Sequence, residues 1–227
     1  AASTNAIRMT ILAYIQGYRY VTTANEKSAD TPITHYFGIP VNHQYSKSIE
    51  FEREMAKLFQ ENISPEISYF SILKPLYEIK IASLVAKCSS YFGLFTSCNV
   101  DTKWCLNCSK CAFVFSLFAA FLDPIKIQSL FPENLYDKKS LEKDFLELTG
   151  LLGVRPFECV GDADEMNLSL YFAMKNGHFG YVIDIFKEKI LPTLEVENLE
   201  SKFMRVYLEE VEHCIPEQVL SRMSWSL

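Results

Sequence analysis

The sequence predicts an α/β protein: a parallel sheet with flanking helices, a cysteine knuckle, and a mostly helical C-terminal region. Three observations predict it. β-rich runs alternate with amphipathic helical patterns through the first half. Four cysteines, Cys98, Cys105, Cys108 and Cys111, then follow at C-x6-C-x2-C-x2-C spacing. Beyond Asp123-Pro124 the patterns are helical almost throughout.

Residues 5–16 read as a helix stopped by Gly17. Tyr18 to Ala24 is a β-rich run, predicted as a buried strand. It ends in the polar stretch Asn25-Glu-Lys-Ser-Ala29, at the strand end where open α/β sheets place ligands. Pro32, Gly38 and Pro40 mark a loop. Asn42-His-Gln-Tyr-Ser-Lys-Ser48 leads into a charged amphipathic helix over 49–59, with Ser48 as its N-cap. Ile67 to Leu73 is a second strand, and Pro75 opens a helix running to Ala86. Leu94 to Ser97 is a third short strand leading straight into Cys98. The apolar run 111–122 is too short to span a bilayer and reads as a buried helix. Its Phe113, Phe115, Phe118 and Phe121 have helical spacing and belong to the core. Helices are then expected over 125–131, 139–150, 164–175, 180–190 and 195–212, with a turn-rich stretch from Gly150 to Asp162. The expected division is 1–123, an α/β domain carrying the knuckle, and 124–227, a helical region.

Composition narrows the function classes. About half of the 227 residues are hydrophobic, which excludes a disordered chain. A net charge of −6 without single-sign runs argues against a general nucleic-acid surface. Neither a charged leader nor a membrane-spanning run is present, so a cytoplasmic protein is expected. The chain starts without Met and reads as if cut from a longer one. Seven cysteines, of which Cys88, Cys159 and Cys214 are scattered, fit a reducing compartment better than a disulfide framework.

Four thiolates within fourteen residues can close a tetrahedron around one soft metal ion. Unpaired core cysteines seldom cluster in this way. A ferredoxin-type cluster would continue x3-C-P, whereas Cys111 is followed by Ala-Phe-Val-Phe. Zinc is therefore favoured, and four protein ligands leave no open position for catalysis.

Several stretches stand in an order that carries a resemblance: Tyr18-Arg-Tyr-Val, Asn25–Ala29, Asn42–Ser48, Tyr69-Phe-Ser-Ile-Leu-Lys-Pro-Leu76, Phe95-Thr-Ser-Cys-Asn99, Trp104–Phe115 and Arg155-Pro-Phe-Glu-Cys-Val-Gly161. Together, over roughly residues 5–170, they resemble the bacterial UDP-N-acetylmuramoyl-L-alanyl-L-glutamate epimerases of peptidoglycan precursor synthesis. The knuckle is also similar to that of 7-cyano-7-deazaguanine synthases, of the same ATP pyrophosphatase class. The resemblance implies an ATP pyrophosphatase-like fold. It also implies an isomerase that inverts a terminal L-glutamate through an acyl-adenylate, using ATP and magnesium beside a structural zinc. The partner it implies is a UDP-muramoyl dipeptide, without nucleic acid or membrane. One departure stands out. Such enzymes cradle phosphates with a S-G-G-x-D-S loop, and this chain has eight glycines and no such loop. On the epimerase reading the loop would precede Ala1, and the chain would be inactive alone.

Within that frame Lys47 is a candidate for gripping phosphate or adenylate, or else a solvated lysine. Asn25, Glu26 and Asn42 are substrate-binding candidates at the ligand edge; Asn25 and Glu26 also suit a turn. His43 is a candidate general base, or a local hydrogen-bonding residue. Lys110 either offsets thiolate charge or touches substrate phosphate. Arg155 is a candidate for bidentate pairing with a substrate carboxylate or phosphate. Glu158 is a catalytic candidate beside Cys159, although direct thiolate inversion of glutamate needs paired cysteines and no ATP. Two other classes stay open: a zinc-bearing binding module, and an adenylating ligase or synthase of the same fold.

Overall fold

The computed structural model describes residues 2–195, 199–201 and 212–223, and these fall into two compact units. The first takes residues 2–77 and 212–223; the second takes 78–195 and 199–201. The boundary between these two compact units falls at Tyr77/Glu78.

In the first unit, helix α1 (Ala2–Gln16) ends at Gly17, whose φ of +74° is open to glycine at little cost. The Tyr18 N–H turns back to the Ala13 carbonyl at 2.8 Å and closes the helix end. Strand β1 (Tyr20–Thr23) follows and pairs in parallel with β4 (Ser68–Ser71), in register from Tyr20↔Ser68 to Thr23↔Ser71. Both strands therefore finish on the same edge. Between them lie an exposed antiparallel hairpin, β2 (Thr34–Tyr36) and β3 (Ile39–Val41), and helix α2 (Ile49–Asn62). Ser48 caps α2 by accepting the Phe51 N–H at 3.1 Å, as its sequence position predicts. The hairpin stands where a loop was expected. Its two-residue turn, Phe37-Gly38, has positive φ at both positions, the twist that suits a tight hairpin. The flanking prolines hide it in the sequence, because proline argues against a strand. Ala6 and Ala13 of α1, Val21, Met55, Phe59, Ile67 and Tyr69 form the core, with Phe59 edge-on to Tyr69 at 5.4 Å.

The second unit is helical. Helix α3 (Glu78–Ala86) starts three residues after Pro75, because 72–75 is taken up by turns. Helix α4 (Ser109–Ala119) is buried at every position, which explains its nearly unbroken apolar run. Phe113, Phe115 and Phe118 are core residues as expected. Phe115 stacks edge-on against Phe131 and Tyr136 at 5.3 and 4.8 Å. Helix α5 (Glu142–Leu148) and helix α6 (Ala163–Lys175) follow, the latter capped by Asp162. Helix α7 (Tyr181–Ile185) runs on into a π turn, Phe186–Ile190. The 125–131 segment contributes only a 3-10 turn, Lys126–Ser129. Of the helix expected over 195–212, residues 199–201 are helical, 195 and 212 are not, and the rest lies outside the described residues.

The expected third strand, Leu94–Ser97, does not form. Phe95 packs against Trp104 and Phe118 at 6.1 and 5.9 Å instead, and the backbone leads irregularly into the knuckle. The protein is thus mixed α and β, mostly helical, and its parallel sheet has two strands among the described residues. No described helix is long and apolar enough to cross a membrane.

Candidate functional site

In the first unit the candidates gather where β1 and β4 end. Asn25 and Glu26 come two and three residues after β1 ends, and the Asn25 carbonyl accepts the Ser71 hydroxyl at 2.7 Å. Asn42 donates to the Ala29 carbonyl at 2.8 Å and accepts the Gln44 N–H at 2.7 Å. These bonds tie segment 42–48 to segment 25–30. His43 lies half-buried within it. Lys47 is half-buried, its ammonium 2.9 Å from Gln44 Oε1. Beneath both segments sits Lys74, fully buried, which donates to the Glu26 carbonyl, the Lys47 carbonyl and Asp30 Oδ1. Asp30 also accepts the Ile49 N–H at 2.8 Å and pairs with Lys27 at 3.2 Å. Glu52, only 1% exposed, lies near Lys74 and Cys214. Burial pushes its carboxyl above the usual carboxylate range, against the pull of the Ser71 backbone and the Lys74 charge. Burial and the Glu52 carboxylate push the Cys214 thiol up to about 11.

In the second unit the sulfurs of Cys98, Cys105, Cys108 and Cys111 all lie within 4.8 Å of one another, a group that could hold a metal ion. The Cys105 and Cys111 sulfurs are 3.8 Å apart. A tetrahedron with metal–sulfur bonds of about 2.3 Å has edges of about 3.8 Å. The loop builds this cage from its backbone. Val100 and Asp101 N–H groups both donate to the Cys98 sulfur at 3.4 Å, and the Cys111 N–H donates to Cys108 at 3.4 Å. Leu106, between two of the cysteines, takes φ of +57°, a turn that lets the Asn107 N–H reach the Cys105 sulfur. Lys138 on the Leu106 carbonyl and Ser140 on the Asn107 side chain hold that turn from outside. Burial alone would raise the Cys98 thiol, but the N–H groups directed at it outweigh burial and bring it down to about 6. The Cys108 and Cys111 thiols are pushed up, first by burial and then by neighbouring sulfurs. A bound cation would reverse that, because metal ligation requires thiolates.

The 155–161 loop is tied to the knuckle. Lys110 donates to the Cys159 carbonyl and pairs with Glu78 at 3.2 Å. Asn99 donates to the Glu158 carboxylate. Arg155 folds back on its own loop, donating to the Gly161 carbonyl at 2.6 Å and the Val160 carbonyl at 3.3 Å. Gly161 is required by space: an added Cβ would stand 2.6 Å from the Phe113 ring and would also press on Glu165. Glu165, buried, accepts the Ile79 N–H in the first turn of α3 at 3.0 Å.

The structure therefore brings Asn25, Glu26, Asn42, His43 and Lys47 together in one unit. It brings Lys110, Arg155, Glu158 and the four cysteines together in the other. Sequence reasoning did not single out Lys74, Asp30, Glu78 or Asn99. Lys74 carried a usable signal: a lysine between Leu73 and Pro75, directly after a buried strand, has to find acceptors inside the fold.

Comparisons with known proteins divide the chain in the same place. Residues 1–72 match the family model of the MurL N-terminal domain, and residues 84–197 match that of the MurL C-terminal domain. The two matches bracket the Tyr77/Glu78 division. The chain is similar to proteins named UDP-N-acetyl-alpha-D-muramoyl-L-alanyl-L-glutamate epimerase from three bacteria. It is 33% identical to that of Salinispora tropica over 73% of the chain and 38% of the relative. It is 35% identical to that of a Micromonospora species over 66% of the chain and 35% of the relative. It is 29% identical to that of Xanthomonas oryzae pv. oryzae over 96% of the chain and 51% of the relative. The chain spans about half the length, or less, of these curated relatives. No solved structure matches. With both domain models matched in order, one on each compact unit, the chain belongs to the MurL epimerase family.

Proposed function

We propose that the chain is the working part, in whole or in part, of an epimerase that inverts the terminal glutamate of UDP-N-acetylmuramoyl-L-alanyl-L-glutamate during peptidoglycan precursor synthesis. The observation that carries this reading is the ordered match of both MurL domain models to the two units of the fold. A cytoplasmic setting follows from a nucleotide-sugar substrate.

The chemical problem is the α-proton. Beside an ionised carboxylate it is hard to remove, because the product would be a dianion. Transfer of AMP from ATP to that carboxylate releases pyrophosphate and gives an acyl-adenylate whose carbonyl no longer carries the carboxylate charge and whose α-C–H is far more acidic. A base takes the proton, and it returns on the opposite face. Water then cleaves the mixed anhydride, leaving the D-glutamate peptide and AMP. Magnesium in such chemistry sits chiefly on phosphate oxygens. The ATP pyrophosphatase-like character of the fold is part of this proposal. No Gly-rich phosphate cradle occurs in these 227 residues.

We assign Lys47 to the phosphate or adenylate, Asn25, Glu26 and Asn42 to substrate at the strand ends, and His43 to proton transfer. Glu158, held by Asn99, is the second candidate for proton transfer. Lys110 and Arg155 serve the substrate through the 155–161 loop, whose carbonyls they hold. Cys98, Cys105, Cys108 and Cys111 hold a structural zinc ion, which contributes folding free energy.

The test is to incubate the native gene product with the UDP-muramoyl dipeptide, ATP and magnesium in deuterated water. AMP, pyrophosphate and D-glutamate carrying deuterium at Cα are the expected products. AMP without D-glutamate would indicate an adenylating ligase, and no turnover at all would favour a zinc-bearing binding module.

A further inference from the structure

Lys74 has no exposed surface, yet it carries an ammonium group. Its three N–H donors meet three acceptors: the Lys47 carbonyl at 2.8 Å, the Glu26 carbonyl at 3.1 Å and Asp30 Oδ1 at 3.1 Å. Those acceptors belong to two segments distant in sequence, the one that leaves β1 and the one that enters α2. One atom bonded to both carbonyls keeps them within about 6 Å of each other. Asp30 then carries the link onward to the Ile49 N–H, at the first residue of α2. Lys74 itself comes three residues after β4 ends. The β1 exit, the α2 entry and the β4 exit thus meet on a single nitrogen.

A buried charge is weak evidence for stability, because well-packed apolar residues often serve as well or better. It is better explained by what it holds in register. We propose that Lys74 is a positioning residue: it ties segments 25–30 and 42–48 into one rigid edge that presents Asn25, Glu26, Asn42 and Lys47 to the substrate. The functional half of this inference rests on the epimerase reading; the tie itself does not.

Lys74→Met keeps the length of the side chain and removes the three donors. Hydrogen exchange of the 227-residue chain is expected to speed up at least about tenfold in segments 25–30 and 42–48, with α1 and the middle of α2 unchanged. Asp30→Asn, which keeps an acceptor for the Ile49 N–H, is expected to show a smaller change in the same two segments. In the native gene product, Lys74→Met is expected to lower kcat/KM by about a hundredfold, because small misplacements of contact groups are that costly. A substantial part of the loss should fall on KM for the dipeptide, measured at a temperature where the variant stays folded, because losing a buried ammonium also costs stability. Unchanged exchange in the two segments overturns the proposal. So does an increase spread evenly over α1 and α2, which would make Lys74 an ordinary core residue. If wild type turns over no dipeptide, the epimerase reading fails, and the exchange pattern still decides whether Lys74 is the tie.

Discussion

Lys110, one residue before the last knuckle cysteine, pairs with Glu78 at 3.2 Å, joining the start of α4 to the start of α3. The same ammonium holds the Cys159 carbonyl. The knuckle, α3 and the 155–161 loop therefore share one cation, which is nearly buried, while Glu78 is mostly so. Removing a partner from such a pair leaves a desolvated carboxylate uncompensated. Lys110→Met is expected to destabilise the chain by about 2–3 kcal/mol, allowing for the partial exposure of Glu78. Urea denaturation checks this, and a loss below about 0.5 kcal/mol would reduce the pair to a surface contact.

Protein purified without added metal is expected to carry one zinc per chain, held by Cys98, Cys105, Cys108 and Cys111. Elemental analysis reading below about a third of an equivalent, or iron with visible absorbance, would rule this out. Cys108→Ser should cost folding and not activity alone, since ligand–metal bonds to a closed structural site contribute to the stability of the fold. A soluble, metal-free variant of wild-type stability would count against a structural role.

The knuckle was legible in the sequence because it is local: four cysteines at fixed spacing and a turn between them. The edge at the ends of β1 and β4 was half legible. Its polar segments show in the sequence, but Lys74 and Asp30, which join them, are brought together across 44 positions by parallel pairing. Helical periodicity located α2, α4 and α6 well, since each buries a continuous face or is buried all round. The strand expected at Leu94–Ser97 failed for the converse reason. An apolar, β-rich run becomes a strand only where a neighbour offers a free edge, and here Trp104 and Phe118 take Phe95 instead.

His178 makes the second unit sensitive to acid. The ring is 5% exposed, and its Nε2 lies 2.7 Å from the Leu122 carbonyl. Burial lowers its pKa below 6.5, only partly offset by that carbonyl and by Asp123. The unfolded chain therefore takes up a proton that the folded chain refuses, and the unfolded state binds more protons below pH 6.5. The contribution is fully present above that pH and is lost as pH falls toward the depressed folded value. Urea melts of wild type and His178→Gln between about pH 7.5 and pH 5 check this, since zinc loss affects both alike. Wild type is expected to lose more stability on acidification; parallel curves would remove His178 from the account.

Titration of residues 1–227 with magnesium–ATP is expected to show no tight site. Backbone N–H groups at closely spaced glycines are what cradle a triphosphate, and the sequence has no such loop. A dissociation constant near about 1 µM would mean that the phosphates are held elsewhere, with Lys47 the first residue to examine.

Lys47 carries the enzyme reading most directly. Its ammonium is 2.9 Å from Gln44 Oε1, while its carbonyl is taken by Lys74. The side chain and the backbone of this residue thus do separate things. Lys47→Ala removes the charge and leaves the carbonyl where the Lys74 tie needs it, so the edge should survive and hydrogen exchange in segments 25–30 and 42–48 should stay as in wild type. In the native gene product, loss of a charge-assisted contact to developing phosphate charge is expected to slow release of AMP and pyrophosphate by about a hundredfold. The fall should appear in kcat more than in KM, the reverse of the split expected for Lys74→Met. Tm should drop by only a few degrees, because Gln44 is the side-chain partner lost. Wild-type pyrophosphate release from the variant would make Lys47 a solvated helix-flanking lysine. Unfolding would make it structural and return the phosphate contact to the second unit, where Lys110 and Arg155 would have to give up the loop carbonyls they hold.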